Sequence, residues 1–328
     1  MEKVYIKGIG KYIPEKVLDN HDLEKMVDTN DEWITTRTGI KERHIIADNQ
    51  CTSDIAVLAA KEAISNAGLT AKQIDLILIA TITGDMQFPA TACVVQQKLG
   101  AKNAVAFDIS AACAGFPYAL SVGSQFVKAG RFKNVLIVGA EALSRFTDWT
   151  DRATCILFGD GAGAAVISYE PGTTKSEVLS DYLGTNGEHV PLLNTPGGGS
   201  VHPATHTTVD ERLHYIKMEG NAVFKIAVKS MADAVKVILK KNGLTVNDIK
   251  SLIPHQANLR IIKAVGKAVK IPEEKVFVNV DKYGNMSSAT TIVALYDAVK
   301  EGIVTEGDLV VLVAFGGGFV WGATLLRW

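Results

Sequence analysis

The chain is poor in several features that would assign it to a special class of protein. It has four cysteines in 328 residues, and none of them forms a Cys-x-x-Cys pair. This spacing argues against a disulfide framework and a zinc site, and it is typical of a reducing compartment, so we expect a cytoplasmic protein. The 34 basic and 35 acidic residues nearly cancel. No overall field would therefore recruit nucleic acid or an anionic membrane.

Long apolar runs are also missing. No stretch reaches the roughly 18 uninterrupted apolar residues of a membrane span, and the opening MEKVYIKGIGKYIP reads as a first strand rather than a signal peptide. The chain is 47% hydrophobic and 21% charged, as globular proteins are. We therefore expect a globular protein, long enough for one large or two ordinary domains, without membrane or nucleic-acid partners.

Two stretches of the chain repeat one another. Residues 64–79 (ISNAGLTAKQIDLILI) and 239–254 (LKKNGLTVNDIKSLIP) share Gly-Leu-Thr and a following Ile, 175 positions apart. NVLIVGAE at 134–141 likewise corresponds to DLVVLVAFGG at 308–317. Each copy reads as a glycine-terminated helix followed by buried strands. The repeat predicts a duplicated α/β fold with two similar sheets layered with helices.

The two halves are predicted to span 1–170 and 171–328. In the repeat, the strand Phe107-Asp108-Ile109 corresponds to Val278-Asn279-Val280. Between the repeated segments, 169–215 has a different texture, with PGGGS and few apolar runs, and we interpret it as a long loop over a pocket. Four histidines lie there without nearby Cys or grouped acids, so no metal site is expected. They are His189, His202, His206 and His214.

Cys113 is the first candidate for chemistry. It lies in VAFDISAACAGFP, between a predicted strand and a helical pattern that closes at Lys128-Ala129-Gly130. A thiol at a helix N-terminus meets unpaired N–H groups and the positive end of the helix dipole, so we expect a lowered pKa and thiolate character. The alternative is a small, buried and inert cysteine.

Two polar residues of the second half also follow strands. His255 comes directly after the apolar SLIP and before a helical pattern, and Asn285 lies at nearly the place in its half that Cys113 has in the first. Sites gather at strand ends in layered α/β folds, so we expect the three side chains to converge. A hydrogen-bonded core histidine and a turn-forming asparagine are the alternatives.

The glycine-rich segments AFGGGFVWG and FGDGAGA are not nucleotide loops. They occupy 314–322 and 158–164 and lack the lysine, and the following helix, of a phosphate loop. Exposed N–H groups of the 316–318 glycines could instead donate hydrogen bonds to an oxyanion that forms during a reaction.

Together these segments resemble β-ketoacyl-acyl-carrier-protein synthase III from end to end. The resemblance rests on DISAACAGF, HQAN with Arg260, YGNMSSA, AFGGGFVWG, DEWITTRTGIKER and DWTDRATCILFGDGAGA. The set Cys-His-Asn resembles the catalytic residues of the initiating condensing enzymes. Elongating synthases instead carry a second histidine in the place of the asparagine, and thiolases carry a second cysteine near the C-terminus. The resemblance implies the thiolase-like five-layered α-β-α-β-α fold with an internal pseudo-twofold duplication, and a homodimer.

The same resemblance implies that the protein catalyses a decarboxylating Claisen condensation, which initiates fatty acid biosynthesis. The substrates are an acyl-CoA, with acetyl-CoA as the default, and malonyl-acyl carrier protein, and no cofactor is needed. Cys113 would accept the acyl group, and N–H groups of Cys113 and Gly317 would bind the oxyanion. His255 Nε2–H and the Asn285 amide would donate to the enolate, and Phe315 would exclude water.

Further positions resemble the coenzyme A site of this family. Trp33 and Arg152 resemble the pair that sandwiches the adenine through stacking and cation–π contact. Arg37 and Thr29 would meet the ribose or pyrophosphate. The expected wall of the pantetheine tunnel consists of Met218, Gly220, Phe224, Ala227 and Asn258.

Lysine and arginine are frequent on two predicted helices of the second half. Such a run is usually a solvated helix face. The alternative is docking of an acidic carrier protein beside the tunnel mouth, with Arg260, Lys225 and Gln256 as contacts.

The acyl pocket is the least determined part. GDMQFPATA resembles the family's loop that crosses the dimer to form the floor of the partner's acyl pocket, which would involve Phe88 and Met86. The family usually shows Thr-Ser-Ala after the asparagine, whereas this chain has Met286-Ser287-Ser288-Ala289. We expect Met286 only to repack the turn.

Three other functions stay open. A synthase of a specialised pathway, which makes a polyketide or signal starter, would share every catalytic residue. A Cys-His thioesterase would use water instead of malonyl. A coenzyme A or acyl-chain binding module would hold Cys113 as a structural residue.

Overall fold

Strands and helices alternate along the chain, and the computed structural model describes residues 3–173 and 175–328. The strands are β1 Tyr5–Tyr12, β2 Lys16–Asp19, β3 Glu42–Ile45, β4 Leu76–Ala80, β5 Val105–Ile109, β6 Asn134–Glu141, β7 Gly161–Ser168, β8 Glu177–Thr185, β9 Leu193–Asn194, β10 Lys217–Met218, β11 Ser251–Pro254, β12 Leu309–Gly316 and β13 Val320–Arg327. The helices are α1 Asn20–Glu24, α2 Asp31–Thr38, α3 Thr52–Asn66, α4 Thr91–Leu99, α5 Gly115–Lys128, α6 Arg152–Cys155, α7 His206–Asp210, α8 Gly220–Lys241, α9 Leu259–Val269, α10 Val280–Tyr283 and α11 Thr290–Lys300.

The main strands pair in the order β11-β12-β13-β8-β1-β7-β6-β4-β5. In the first half β5, β4 and β6 are parallel, and β7 and β1 follow antiparallel. The second half repeats this pattern, with β11 parallel to β12 and then β13 and β8 antiparallel. The halves meet where β1 runs beside β8, and the Ile6 N–H donates to the Ser176 carbonyl at 2.8 Å.

Helices form three layers around these strands. α3 packs on β1, β6 and β7, and α8 packs on β8, β12 and β13. α5 and α11 lie between the halves, because each contacts strands of both. β4 and β6 are buried along their whole lengths, as expected of strands covered on both faces. The predicted five-layered α/β fold is confirmed.

The internal repeat is visible in the backbone as well. β4 and β11 begin 175 residues apart, as do β6 and β12. Ala112 and Ser287, again 175 residues apart, have the left-handed φ values 42° and 44° just before α5 and α11. One predicted correspondence is wrong, because 278–280 forms no strand. The second half has only a bridge between Leu252 and Val276 there, since Val280 already begins α10.

The stretch 169–215 is not a loop throughout. Its first part is β8, a full strand of the array, whose alternation buries Val178 and Ser180. The remainder is irregular around β9 and α7, and Leu193 from this part does line the cavity described below. The boundary between 1–170 and 171–328 falls between β7 and β8, and we retain these halves as a proposal.

Candidate active site

A cavity of about 870 Å³ lies at the seam of the two halves. We call it the chamber. Its volume is in the range of small-molecule sites. Cys113 from the first half and His255 and Asn285 from the second all line it, so the structure brings these three side chains to one space.

Cys113 lies in the single turn Ala112–Ala114 that leads directly into α5. The structure thus places it at the start of a helix, as predicted. Burial raises the pKa of its thiol to about 12, although a hydrogen bond with Ser287 acts in the opposite direction. The expected lowering of this pKa is therefore wrong for the unliganded chamber. Loss of water around the sulfur outweighs the helix terminus, and the resting group is a thiol.

His255 directly follows β11, and its N–H donates to the Val313 carbonyl at 2.7 Å. Its Nδ1 lies 2.5 Å from Thr290 Oγ1, and that hydroxyl lies 3.0 Å from the Ser287 carbonyl. Burial lowers the pKa of His255 to about 3, so the imidazole is neutral.

The Thr290 hydroxyl has one hydrogen to give, and this decides the tautomer of His255. If the hydrogen goes to the Ser287 carbonyl, Nδ1 carries the imidazole proton and Nε2 is a free base. If the hydroxyl turns to Nδ1, the proton lies on Nε2. The predicted Nε2–H donor thus requires the second orientation, while the first suits removal of a proton from the thiol.

Asn285 is held from both backbone and side chain. Its N–H donates to Leu157 at 2.9 Å, and its carbonyl accepts from Gly159 at 3.0 Å. Its Oδ1 accepts from the Ser287 N–H at 2.8 Å. Because the amide oxygen is occupied, the NH2 group is the part of this side chain that can donate to a ligand.

The glycine-rich end of β12 packs closely against the backbone of Cys113. A Cβ on Gly316 would lie 2.5 Å from the Cys113 backbone nitrogen, so only glycine fits there. The next residue, Gly317, lines the chamber together with Phe315. The Phe315 ring packs edge-on against Phe319 at 5.1 Å between centroids and covers this side of the chamber.

The residues expected at the pantetheine tunnel form one wall of the chamber. Gly220, Phe224 and Ala227 recur at helical spacing along α8, so one face of this helix lines the cavity. Asn258 caps α9 by accepting from the Arg260 N–H at 2.8 Å, and it donates to the Arg37 carbonyl at 3.2 Å. Met218, Asn258 and Arg37 complete the same lining.

The predicted adenine pair is in contact, but outside the chamber lining. The Arg152 guanidinium carbon lies 4.4 Å from the centroid of a Trp33 ring, and that of Arg37 lies 5.3 Å away. In this arrangement Arg152 stacks directly on Trp33, so an adenine between them would have to separate the pair. Thr29, near Trp33 in sequence, has a buried Oγ1 without a partner among the described residues.

The predicted docking residues divide into two groups. Arg260 and Lys225 are exposed and line the chamber, and the Arg260 guanidinium lies 5.7 Å from the Phe224 ring centroid. Gln256 is only 1% exposed. Its Nε2 donates to the Pro254 carbonyl at 2.7 Å and the Phe277 carbonyl at 3.2 Å. The docking prediction is therefore wrong for Gln256, because internal hydrogen bonds occupy its side chain.

The predicted acyl-pocket residues do not line the chamber of their own chain. Phe88 is 85% exposed and Met86 52% exposed. Met286 is buried and packs with Ala289 and Val293, which confirms the expected repacking role.

Residues 3–173 and 175–328 contain no cluster of three or more His, Cys, Asp or Glu side chains suited to a metal ion. His214 Nε2 lies 3.0 Å from Thr208 Oγ1, and His189 packs on Phe319. In the same ranges no helix combines the length and the apolar character that a bilayer span needs.

Sequence reasoning missed three residues around the site. Ser287 and Thr290 connect the candidate side chains as described above, and the hydroxyl of Ser287 also meets the buried Glu141 at 3.1 Å. The run Ser287-Ser288-Ala289-Thr290 was a signal, because hydroxyls at the start of a helix beside a candidate donor are suited to orient it.

Comparisons with known proteins identify the family of this chain. Residues 107–187 match the family model of 3-oxoacyl-[acyl-carrier-protein] synthase III, and residues 239–328 match the model of its C-terminal part. The chain is 52% identical to the beta-ketoacyl-[acyl-carrier-protein] synthase III of Caldanaerobacter subterraneus subsp. tengcongensis, over 98% of this chain and 97% of that protein.

Solved structures give the same answer. The 3-oxoacyl-[acyl-carrier-protein] synthase III of Aquifex aeolicus VF5 superposes with a TM-score of 0.90 at 49% identity, covering 99% of this chain and 100% of the other. A priming beta-ketosynthase from the R1128 polyketide pathway also gives 0.90, at 33% identity, with 99% and 96% covered. The chain therefore belongs to the 3-oxoacyl-[acyl-carrier-protein] synthase III family, a family of condensing acyltransferases.

Proposed function

We propose that this enzyme condenses an acyl-CoA, by default acetyl-CoA, with malonyl-acyl carrier protein and so initiates fatty acid biosynthesis. The observation that carries the proposal is the chamber, where a buried thiol, a neutral imidazole and an asparagine amide meet. Cys113, His255 and Asn285 act on the reacting atoms.

Acyl transfer comes first. His255 Nε2 removes the Cys113 proton, and the sulfur attacks the thioester carbonyl of acyl-CoA. Because both groups are neutral at rest, the ion pair exists only during the reaction. N–H groups of Cys113 and Gly317 hold the oxyanion. The C–S bond to coenzyme A then breaks, the proton passes to the departing thiolate, and the products are acyl-Cys113 and free coenzyme A.

Condensation with malonyl-acyl carrier protein follows in the same chamber. Malonyl-acyl carrier protein loses CO2, and the bonding electrons form an enolate whose oxygen accepts from the Asn285 NH2 and from His255 Nε2–H. The enolate carbon attacks the acyl-Cys113 carbonyl, and the Cys113 thiolate leaves. This thiolate then takes one proton from solvent. The product is a 3-ketoacyl-carrier protein. Phe315 keeps water from the enolate.

The binding roles follow from position. Trp33 and Arg152 bind the adenine, Arg37 and Thr29 lie on the ribose or pyrophosphate side, and the α8 wall holds pantetheine. Arg260 and Lys225 receive the acidic carrier protein at the chamber mouth.

We further propose that the enzyme is a homodimer in the cytoplasm. Within the described residues β5 pairs only with β4 at the end of the strand array, so its outer edge can pair with a second copy. The exposed Phe88 and Met86 then reach the partner's acyl pocket. The four cysteines are free thiols, as suits a reducing compartment. The reaction as written uses no cofactor, since acyl-CoA is a substrate.

One experiment tests the reaction. Purified enzyme is incubated with acetyl-CoA and analysed by intact-mass spectrometry, and malonyl-acyl carrier protein is then added and its product mass read. We expect an acetyl adduct on Cys113 that persists until malonyl is added, and no adduct in Cys113→Ala. Free acetate released without malonyl would identify a thioesterase. Binding without any adduct would identify a coenzyme A module.

A specialised-pathway synthase is the second candidate, favoured by the similarity to the R1128 priming ketosynthase. Replacing acetyl-CoA by a panel of longer and branched acyl-CoAs in the same assay separates the two. A strong preference for acetyl- or short branched starters supports primary fatty acid synthesis, and rejection of them supports the alternative.

A further inference from the structure

Glu141 is a buried acidic residue that has no direct role in the proposed condensation. It ends β6, has no exposed surface and does not line the chamber. The 175-residue repeat places it at the position that Gly316 has in the second half. A carboxyl group in the core is costly unless hydrogen bonds compensate it, so its partners indicate its role.

Four groups donate to this carboxyl. Thr83 Oγ1 at 2.7 Å, Thr81 Oγ1 at 3.2 Å and the Ile82 N–H at 3.2 Å all reach Oε2. Ser287 Oγ reaches Oε1 at 3.1 Å. The Oε2 side is thus anchored to the segment after β4, and Oε1 points to the turn that follows Asn285. Burial raises the pKa of this carboxyl group, while the four donors act in the opposite direction and hold both oxygens in place.

Ser287 connects the Glu141 carboxyl group to the reacting groups. Its N–H donates to Asn285 Oδ1 at 2.8 Å, and its carbonyl accepts from Thr290, which holds His255. Its φ of 44° lies in the left-handed region, which a serine adopts only under restraint from its surroundings. The hydrogen bond to Glu141 fixes the side chain of this residue.

We propose that Glu141 is a positioning residue, which holds Ser287 so that the Asn285 amide faces the enolate. This inference rests on the proposed condensation. Asn285 acts only in the decarboxylation step, and Ser287 holds it directly. Loss of Glu141 therefore weakens decarboxylation more than acyl transfer to Cys113. KM values stay unchanged, because Glu141 does not line the chamber.

The test measures both half-reactions in Glu141→Gln. Acyl transfer is followed as the rate of the acetyl adduct on Cys113, and decarboxylation as CO2 release from malonyl-acyl carrier protein. We expect decarboxylation to fall about tenfold, less than the roughly 100- to 1000-fold loss when a direct donor is removed. Acylation and both KM values should stay within about threefold of wild type, well short of that loss.

Ser287→Ala removes the same hydrogen bond from its other end and should show the same loss of decarboxylation. Only decarboxylation is compared in this variant, because the Ser287 hydroxyl also meets the Cys113 thiol and lines the chamber. The double variant should then be no worse than the poorer single variant, as for two residues acting through one contact. Ser287→Ala also keeps the test decisive if Glu141→Gln does not fold. Normal decarboxylation in Ser287→Ala would overturn the proposal.

Asp160→Asn is the matched control. Asp160 is another buried carboxyl, and it accepts from Ile46 and Ser144 instead of from the Ser287 turn. We expect no difference between the half-reactions in this variant. Equal losses of both steps in Glu141→Gln, or additive losses in the double variant, would refute the positioning role. A wild-type enzyme without either half-reaction would instead refute the proposed function.

Discussion

Thr290 Oγ1 lies 2.5 Å from His255 Nδ1 and, at 3.0 Å, donates to the Ser287 carbonyl. One hydroxyl thus serves two neighbours and can support either neutral tautomer of the imidazole by rotating. The reaction proposed above needs both, because His255 first accepts a proton on Nε2 and later donates from it. Between the two steps Nδ1 loses its proton and Nε2 takes one by exchange with solvent, and the rotated hydroxyl then donates to Nδ1, so the ring itself need not move.

Replacement of Thr290 by valine should therefore impair turnover while leaving substrate binding intact. The valine keeps the shape of the side chain but leaves Nδ1 without a partner. We expect kcat to fall by about tenfold or more at unchanged KM. Thr290→Ser restores the hydroxyl and should recover most of the rate. Equal kcat in the valine and serine variants would show that the hydroxyl has no such role.

Stability should depend on His255 in mildly acidic solution. Burial lowers its pKa from 6.5 to about 3, so between these values the unfolded chain binds a proton that the folded chain does not. Folding therefore loses stability as pH falls below 6.5. Between pH 6.5 and pH 5 the loss attributable to this residue is about 2 kcal/mol.

Chemical denaturation of wild type and His255→Gln at both pH values measures this contribution. The other titrating groups are common to both proteins, so the difference between them isolates the histidine. The glutamine variant should lose about 2 kcal/mol less than wild type on acidification. Parallel losses would mean that His255 is accessible to protons in the folded chamber.

Trp33→Ala should weaken the use of acyl-CoA selectively. Its ring is the stacking surface opposite Arg152, 4.4 Å from the guanidinium carbon. Loss of an aromatic stacking partner removes about 1–3 kcal/mol, which corresponds to a rise in KM for acyl-CoA of about fivefold or more. Trp33→Phe should recover part of this loss. A rise in KM for malonyl-acyl carrier protein of the same size would contradict the assignment.

Arg260→Glu should weaken the binding of malonyl-acyl carrier protein. Arg260 lies exposed at the chamber mouth, whereas Lys236 and Lys263 are paired with Asp233 and Glu273. Reversal of this charge should raise KM for malonyl-acyl carrier protein and spare acyl transfer from acyl-CoA, since steering of an acidic partner is lost. Lys72→Glu, an equal charge change in the first half, is the control. An unchanged KM in Arg260→Glu would remove this docking site.

Gly316→Ala should impair activity through the backbone of the nucleophile. The added Cβ would lie 2.5 Å from the Cys113 nitrogen and 3.1 Å from the Ala112 Cβ, so Cys113 must shift. We expect slow acetylation of Cys113 and a lowered Tm. Gly187→Ala is the control, because a Cβ there meets nothing within 4 Å. Normal acetylation in Gly316→Ala would show that the chamber tolerates this displacement.

Much of this architecture follows from local patterns in the sequence. The repeated Gly-Leu-Thr segments place β4 and β11, and the polar residue directly after SLIP is the histidine that lines the chamber. β8 was missed because EVLSDYLGT carries polar residues on a half-exposed strand and has no long apolar run. Its place depends on pairing with β13 and β1, which local composition does not reveal.

The site was harder to predict in detail, because its properties arise from tertiary packing. The helix start at Cys113 was visible in the sequence, but the burial that raises the pKa of the thiol was not. Gln256 reads as a polar neighbour of His255, yet the fold turns it inward to the Phe277 carbonyl. Glu141 reads as the end of an apolar strand, and only the folded chain brings it to Ser287, 146 residues later.

The seam between the halves also has a consequence during synthesis of the protein. Cys113 leaves the ribosome long before Phe315 and Gly317, about 200 residues later in the chain. The base His255 lies between them in the chain, so the thiol gains its base and its glycine-rich strand only as the second half folds onto the first. Acetylation of Cys113 by this mechanism therefore depends on the two halves being packed against each other, and its rate reports whether the seam has formed.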